Sequence, residues 1–397
     1  MKKTVEDYRG CASDEIVDSV YEEASMMSDK HIVHLNSTYE GGGVAELLKS
    51  IVPLMNDAGI KTGWRILFGS FGFYKITKEF HNALQGGDLS LNEEKKEVYE
   101  GINENNATFM HLDHDYVVIH DPQPLPLIRF VGKKQPWVWR AHVDLSNPNE
   151  GLLSYFKQFI KDYDSVVVSK KEYMLPYDIP QRVIHPSIDP LTLKNRDMGD
   201  AAVSKQLSDF GIEQDKPIIS QVSRFDRWKD PMGVLEIFGL VKRDVDCRLV
   251  LLGSTAFDDP EGEEVYQDLI KQVDVDEDVH VISQANDALV NAVQRASSVV
   301  LQKSIREGFA LTVSEALWKK TPVVASNVGG LPLQVRNGFN GYLVDPRDHK
   351  QCADRVMRIL LNPQMGEKMG LNGREYVRDN FLVTRHLLDW IRFLREL

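Results

Sequence analysis

Two acids, Glu307 and Glu315, stand with seven residues between them in the stretch Ser304 to Leu317, which reads S-I-R-E-G-F-A-L-T-V-S-E-A-L. The run Ser298 to Gln302 before it is short, apolar and β-branched, as a buried parallel strand would be, and Val313, Ala316 and Leu317 after it have helical spacing. Arg306 and Glu307 therefore fall in a strand-to-helix loop. In an open α/β sheet ligands sit beyond the carboxyl ends of strands, so such a loop is a place for chemistry. Gly308 lets backbone approach a ligand, and past Phe309 and Ala310 the N–H groups near Leu311 and Thr312 would face an anion. Glu315 also has a plain structural explanation: Thr312-Val313-Ser314-Glu315 is a capping-box pattern, with Thr312 at the N-cap. No cap or packed face calls for an acid at Glu307.

A second loop, Ser223-Arg224-Phe225-Asp226-Arg227-Trp228-Lys229-Asp230, follows the apolar run Ile218 to Val222 and ends at Pro231, where a fixed φ suits the first position of a helix. Arg224 and Lys229 would offer a diphosphate an arginine fork, a point charge and helix N–H groups together. The alternative is a solvated loop in which Arg227, Asp226 and Asp230 pair with these charges to little effect. Near the N-terminus, Gly41, Gly42 and Gly43 follow a predicted strand and precede a helix, a setting in which a sugar or phosphate can touch backbone N–H groups. A tight turn would account for one glycine but not three. Two further strand ends carry His120-Asp121 and Arg140-Ala141-His142 to one rim. A lone histidine is more often a hydrogen-bonded structural residue than a catalyst, a rule that weakens at a strand's carboxyl end.

Positioning these loops requires alternating strands and helices. Strands are expected at His31–Leu35, Trp64–Phe68, Tyr116–Ile119, Trp137–Arg140, Ser165–Ser169 and near Val183, after a helix within residues 1–30. Pro186 to Asp200 reads as a linker. A second set follows at Ile218–Val222, Arg248–Leu252, His280–Ile282, Val299–Gln302 and Pro322–Ala325, and the pattern is helical from Asp348 onward with a break at Asn362-Pro363. The alternation predicts an α/β protein with parallel sheets.

A length of 397 residues suits two or three domains, and 42% hydrophobic with 27% charged residues is a soluble globular composition. A net charge of −12 argues against general affinity for nucleic acid or anionic membrane. Cys11, Cys247 and Cys352 show no metal or disulfide spacing, and no long apolar run occurs, so a cytoplasmic chain is expected.

Glu307 and Glu315, in the context R-E-G-F-A-L-T-V-S-E-A followed by T-P-V-V-A-S-N-V-G-G (Thr321 to Gly330), resemble the signature of retaining GT-B glycosyltransferases of family four. With H-L-N-S-T-Y-E-G-G-G-V-A-E, H-D-P-Q-P, W-V-W-R-A-H-V-D-L-S-N-P, P-S-I-D-P-L and Q-V-S-R-F-D-R-W-K-D in the same order, the chain is similar, over about residues 30 to 395, to the trehalose synthases of the glycosyltransferring type within that family. The resemblance implies a GT-B fold, two Rossmann-like parallel-sheet domains facing across a cleft. An acceptor-side domain would span 1–190 and a nucleotide-sugar domain 191–384, with a helix at about 385–397 crossing back to the first. Arg224 and Lys229 would bind the diphosphate, Glu315 the ribose hydroxyls and Glu307 the donor glucose, with His142 near its anomeric carbon. Gly42 and Gly43 would line the cleft, and Glu40, His120, Asp121, Arg140, Ser223, Gly308, Phe309, Ala310, Leu311 and Thr312 would add substrate contacts. Tyr39-Glu40 departs from the family pattern by its bulk and charge, which bears on the acceptor.

The activity so implied is retaining transfer of glucose from UDP-glucose or ADP-glucose to glucose, giving α,α-trehalose. Phosphate is a good leaving group, so the acids need not act as a glycosidase pair. No tightly bound cofactor or metal-ligand set is expected, magnesium being allowed but not required. Sugars are the expected partners, with no nucleic acid or membrane, and a homodimer is left open. The alternatives are a transferase with another sugar or polyol acceptor, a trehalose phosphorylase, and a catalytically silent nucleotide-sugar sensor. Intact Arg224, Lys229, Glu307 and Glu315 speak against the sensor.

Overall fold

The computed structural model describes residues 3–253, 261–273 and 276–397. They form two compact units, one of Met1–Ser187 with Leu382–Leu397 and one of Ile188–Phe381. The division falls at Ser187/Ile188 because the Ile188 N–H donates to the carbonyl of Phe381 at 2.8 Å, joining both ends of the second unit.

The first unit holds strands β1 (His31–Asn36), β2 (Lys61–Ile66), β3 (Tyr116–His120), β4 (Trp137–Arg140), β5 (Ser165–Val168) and β6 (Gln181–Val183). All pair in parallel, in the order β2-β1-β3-β4-β5-β6. The second holds β7 (Ile218–Val222), β8 (Arg248–Gly253), β9 (Val279–Ser283), β10 (Ser297–Gln302), β11 (Val323–Ser326) and β12 (Gly341–Val344), parallel in the order β12-β11-β10-β7-β8-β9. Short Val- and Ile-rich runs suit this arrangement because parallel strands are covered by helices on both faces, and β4, β5, β7 and β8 are buried along their length. The chain is thus α/β with two six-stranded parallel sheets.

Two expectations about strands need correcting. β2 begins at Lys61 and stops at Ile66 rather than running to Phe68, because Asn106 takes both backbone groups of Phe68, accepting from its N–H at 2.9 Å and donating to its carbonyl at 2.8 Å. β12 was not anticipated. Its four residues follow a turn with Gly338 at φ +78°, and Gly341 pairs so closely with Val323 that a Cβ there would strike the Val323 carbonyl.

Each sheet reverses its strand order once, beside its first strand: between β1 and β3 in the first unit and between β7 and β10 in the second. Such points are where open α/β sheets bind ligands. The glycine loop after β1, His120 at the end of β3, the Arg224–Lys229 loop after β7 and the Glu307 loop after β10 all occupy these ends. No helix among the described residues is long and apolar enough to cross a membrane.

The helix Leu311–Trp318, which follows the Glu307 loop, is held from outside by the helix Pro363–Asn380. Contact is close because Gly370 and Gly373 face it: a Cβ at Gly373 would meet the Leu317 side chain, and one at Gly370 would run into the Lys320 carbonyl. Alanine favours a helix over glycine by about 1 kcal/mol, yet Gly370→Ala should lower stability by about 1–3 kcal/mol through overpacking. Urea unfolding reads this directly; an unchanged or raised midpoint would show that the two helices have room to spare.

Candidate active site

In the second unit, Gln221 at the end of β7 clamps the two candidate loops together. Its Nε2 donates to the Lys229 carbonyl at 3.0 Å, its Oε1 accepts from the Lys303 N–H at 3.2 Å, and the Ile305 N–H donates to the Trp228 carbonyl at 2.8 Å. Lys229 is thereby brought against Glu307, Nζ to Oε2 at 2.5 Å. Glu307 is only 7% exposed, and the same oxygen also accepts from Ser304 Oγ at 3.1 Å and Gln302 Nε2 at 3.3 Å. Arg224 lies on the same loop as Lys229, one-third exposed, with Nη2 3.5 Å from Asp226. The loop ends at Asp230, in the left-handed region with φ 49°, whose carboxylate accepts from the Gly233 N–H and caps the helix Pro231–Lys242 with Pro231 at its first position. Asp230 also takes the buried Lys303 ammonium at 3.2 Å. Asp226 and Asp230 are therefore spent on the loop itself, and Arg227 pairs with Glu264.

The capping-box explanation of Glu315 does not hold. The helix starts at Leu311 behind Ala310, which takes the left-handed conformation at φ 65°, and no side chain caps it. Thr312 lies inside the first turn and gives its hydroxyl to Gln302 Oε1 at 3.0 Å, so Glu315 is a mid-helix residue. It is 1% exposed, its Oε1 is 3.8 Å from Lys194 Nζ, and its Oε2 has no hydrogen-bond partner. A buried carboxylate oxygen left bare asks for a ligand donor. Around it the loop Gly308–Ala310 is fixed by Gln334, which donates to the Phe309 carbonyl and accepts from Ser314 Oγ at 2.6 Å. Gly330 must lack a Cβ because the Gly308 carbonyl occupies that space. Ser223 contributes backbone, its N–H going to Leu252 at 3.1 Å.

The first unit assembles a different chemistry. His34 of β1, His120 of β3 and His142 after β4 form a chain, His34 Nδ1 to His120 Nε2 at 2.9 Å and His120 Nδ1 to His142 Nε2 at 2.9 Å. Asp121, at φ 62°, accepts the His142 backbone N–H at 2.8 Å, and its own carbonyl accepts from Trp139 Nε1 at 3.0 Å. Arg140 is fully buried and donates to Ser169 Oγ at 3.1 Å and the Ile184 carbonyl at 2.9 Å. Both bonds are made by Nη2, and the Nε and Nη1 of Arg140 are buried with no hydrogen-bond partner. Gly42, at φ 102°, is the N-cap of the helix Gly43–Asp57, a conformation few other residues adopt. Glu40 stands on an exposed loop, 3.8 Å from Lys49, and Tyr39 stacks on Trp64 at 4.7 Å. Sequence reasoning missed His34, His386, Trp390, Gln221 and Lys194. The signal for His34 was a polar residue inside an apolar strand that must be buried on both faces.

Burial governs titration here. It holds His34 down to about 3 and keeps His120, His142 and His386 well below the usual histidine range, helped at His120 by His142 and at His142 by Arg140. It pushes Asp121 up to about 6, against the His142 N–H and Arg140, and brings Arg140 down to about 9.

Two all-parallel sheets, each with polar loops at its switch point, define a GT-B glycosyltransferase. The similarities to known proteins agree. Residues 34–175 match the family described as "Trehalose synthase, N-terminal domain" and residues 203–376 that described as "Glycosyl transferases group 1". The trehalose synthase of Thermococcus litoralis is 42% identical over 99% of this chain and 97% of its own, and that of Rubrobacter xylanophilus 41% identical over 100% and 97%. The sucrose-phosphate synthase structure from Thermosynechococcus elongatus superposes with a TM-score of 0.73 at 20% identity, over 92% of this chain and 99% of that one. The chain belongs to the trehalose synthase family of the group 1 glycosyltransferases, and its activity is trehalose-related glycosyl transfer.

Buried neutral histidines make the first unit acid-sensitive. Their folded values lie below the unfolded value of 6.5, so the unfolded chain binds more protons and stability falls as pH drops below 6.5 toward about 3 for His34. His34, His120, His142 and His386 all add to the loss in the same direction. Asp121, raised, has the opposite sign between about 6 and 3.8 and offsets one of them. Melting temperature should therefore drop steeply from pH 6.5 to 5; a flat profile would show that the rings protonate in place.

Proposed function

We propose that the chain is a retaining glucosyltransferase that moves glucose from a nucleotide-glucose donor to free glucose and forms α,α-trehalose. One observation carries this reading: at the β7/β10 switch point Lys229 is held against Glu307, with Arg224 on the same loop and the bare Glu315 oxygen on the following helix. An ammonium has three donors. Glu307 engages one in Lys229, which leaves two for the oxygens of a departing diphosphate, with the Arg224 fork as the second cation. Glu315 suits a pair of ribose hydroxyls, and the remaining acceptor capacity of Glu307 suits a glucose hydroxyl.

In the proposed reaction the bond between the anomeric carbon and the phosphate oxygen breaks as a bond to the acceptor oxygen forms on the same face. The acceptor's hydroxyl proton passes to the departing phosphate, so configuration is retained. Donors preorganised toward developing charge are the main catalytic resource in such a site. Because Arg224 and Lys229 neutralise the diphosphate, a tightly held metal is not required by this mechanism. His142 supplies a donor to a sugar oxygen. The exposed Glu40 and the Tyr39–Trp64 stack beside the glycine loop favour, as a second reading, an acceptor other than glucose, since polar groups left unpaired discriminate strongly.

Lys229→Ala should keep the fold and lower turnover by about two to three orders of magnitude, as expected for losing one such donor. Unchanged turnover would remove Lys229 from the site. With a nucleotide-glucose and glucose, NMR of the product should show two equivalent α-anomeric protons and no reducing end. A reducing disaccharide, or turnover only with another acceptor, would discard trehalose and keep the transferase; release of glucose 1-phosphate from trehalose and phosphate alone would mark a phosphorylase.

A further inference from the structure

The histidine chain of the first unit has a direction. A neutral imidazole has one donor nitrogen and one acceptor. His120 bonds through both, so its proton placement ties the two contacts together: either protons run from His34 toward His142, or from His142 toward His34. The far end decides between them. His34 Nε2 is buried with no hydrogen-bond partner. If the chain ran toward His34, that nitrogen would carry a buried N–H with nothing to accept it; in the other direction it is a bare lone pair. Orphaned buried N–H groups are the rarer case, and leaving a buried donor unmade is costly.

The C-terminal helix Val383–Glu396 explains why His34 finds no donor. Trp390 packs edge-on against His34, centroids 5.8 Å apart at 85°, but its single N–H goes to His386 Nε2 at 3.1 Å. His386 in turn uses Nδ1 on the His185 carbonyl at 2.7 Å. Burial disfavours a protonated ring at His34, His120 and His142, Arg140 adds to this at His120 and His142, and Arg385 and Arg140 do so at His386.

We propose that His34 and His120 are positioning residues that hold His142 as the neutral tautomer protonated on Nδ1, so that it meets a sugar oxygen as a ready donor. The inference rests on the transferase reading only for the identity of that oxygen. His142 Nε2 accepts from His120, and the proton that would otherwise exchange between the ring nitrogens stays on Nδ1, so no reorganisation is needed when substrate arrives.

The test is long-range ¹⁵N–¹H NMR of the histidine-labelled full chain, with steady-state kinetics on two variants. Wild-type His142 should show a bare Nε2 and a protonated Nδ1. His120→Phe, which removes the donor at similar bulk, should shift His142 toward the Nε2–H form. It should lower kcat roughly 10- to 100-fold, by analogy with losing the hydrogen-bond partner that orients a metal-ligating histidine, with KM for the donor little changed. His120→Asn keeps an N–H near the Nδ1 position and should retain both the tautomer and most of kcat. A wild-type His142 protonated on Nε2 overturns the proposal, and so does a folded His120→Phe with unaltered tautomer and kcat. If that variant does not fold, the wild-type spectrum alone decides. The spectrum needs no substrate, so a wrong tautomer overturns the relay, whereas the right tautomer in a chain that transfers no glucose overturns the transferase reading.

Discussion

A carboxylate as deeply buried as Glu307 persists only if donors answer it, and much of the second unit is arranged around supplying them. Desolvating an ion costs several kcal/mol, recovered only by good geometry and further hydrogen bonds. Lys229, Ser304 and Gln302 all reach Glu307 Oε2. Each must be brought there by something else. Gln221 holds the loop of Lys229 to the strand end of Lys303, Asp230 caps the next helix while pairing with Lys303, and Thr312 holds the amide of Gln302 in place. Removing Glu307 would strand a largely buried ammonium, so this ion pair is a structural tie between two loops.

The first unit solves a related problem with the opposite electrostatics. Its strand ends also carry polar side chains into the sheet edge, but burial there favours neutral rings over ion pairs. Three histidines can satisfy one another because an imidazole is donor and acceptor at once, a property neither lysine nor glutamate has. An ion pair thus joins the loops of the second unit, whereas in the first the rings stay neutral beside the buried Arg140 and Asp121.

Much of this was legible in the sequence, and the limits have physical causes. Loops such as Ser223–Asp230 announce themselves locally, by an apolar run before them and a proline at the next helix start, and so Arg224, Lys229 and Glu307 could be singled out. The Thr312-to-Glu315 pattern misled because capping depends on where the backbone turns; Ala310 in the left-handed region puts the helix start two residues earlier in the chain, which no pattern of side chains revealed. Gln221, Lys194 and Trp390 were not legible at all, since each acts on a partner far away in the chain. β12 escaped because four residues beginning with glycine carry little strand signal, and its place is set by the close approach to Val323.

The C-terminal helix joins these two accounts. It follows Phe381, the last residue of the second unit, yet it belongs to the first, where Arg392 and Arg395 pair with Glu23 and Arg385 donates to the His185 carbonyl at 2.7 Å. Its inner face does more than add apolar area. Trp390 closes the end of the histidine chain and withholds its only N–H from it, and His386 ties that N–H to the backbone of residue 185. A leucine in place of Trp390 would leave a cavity, free His386 Nε2 and loosen the seal over His34. On the proton placement proposed above, a segment that reads in the sequence as a plain amphipathic terminus thus bears on the rings beneath it, because it decides which donors reach them.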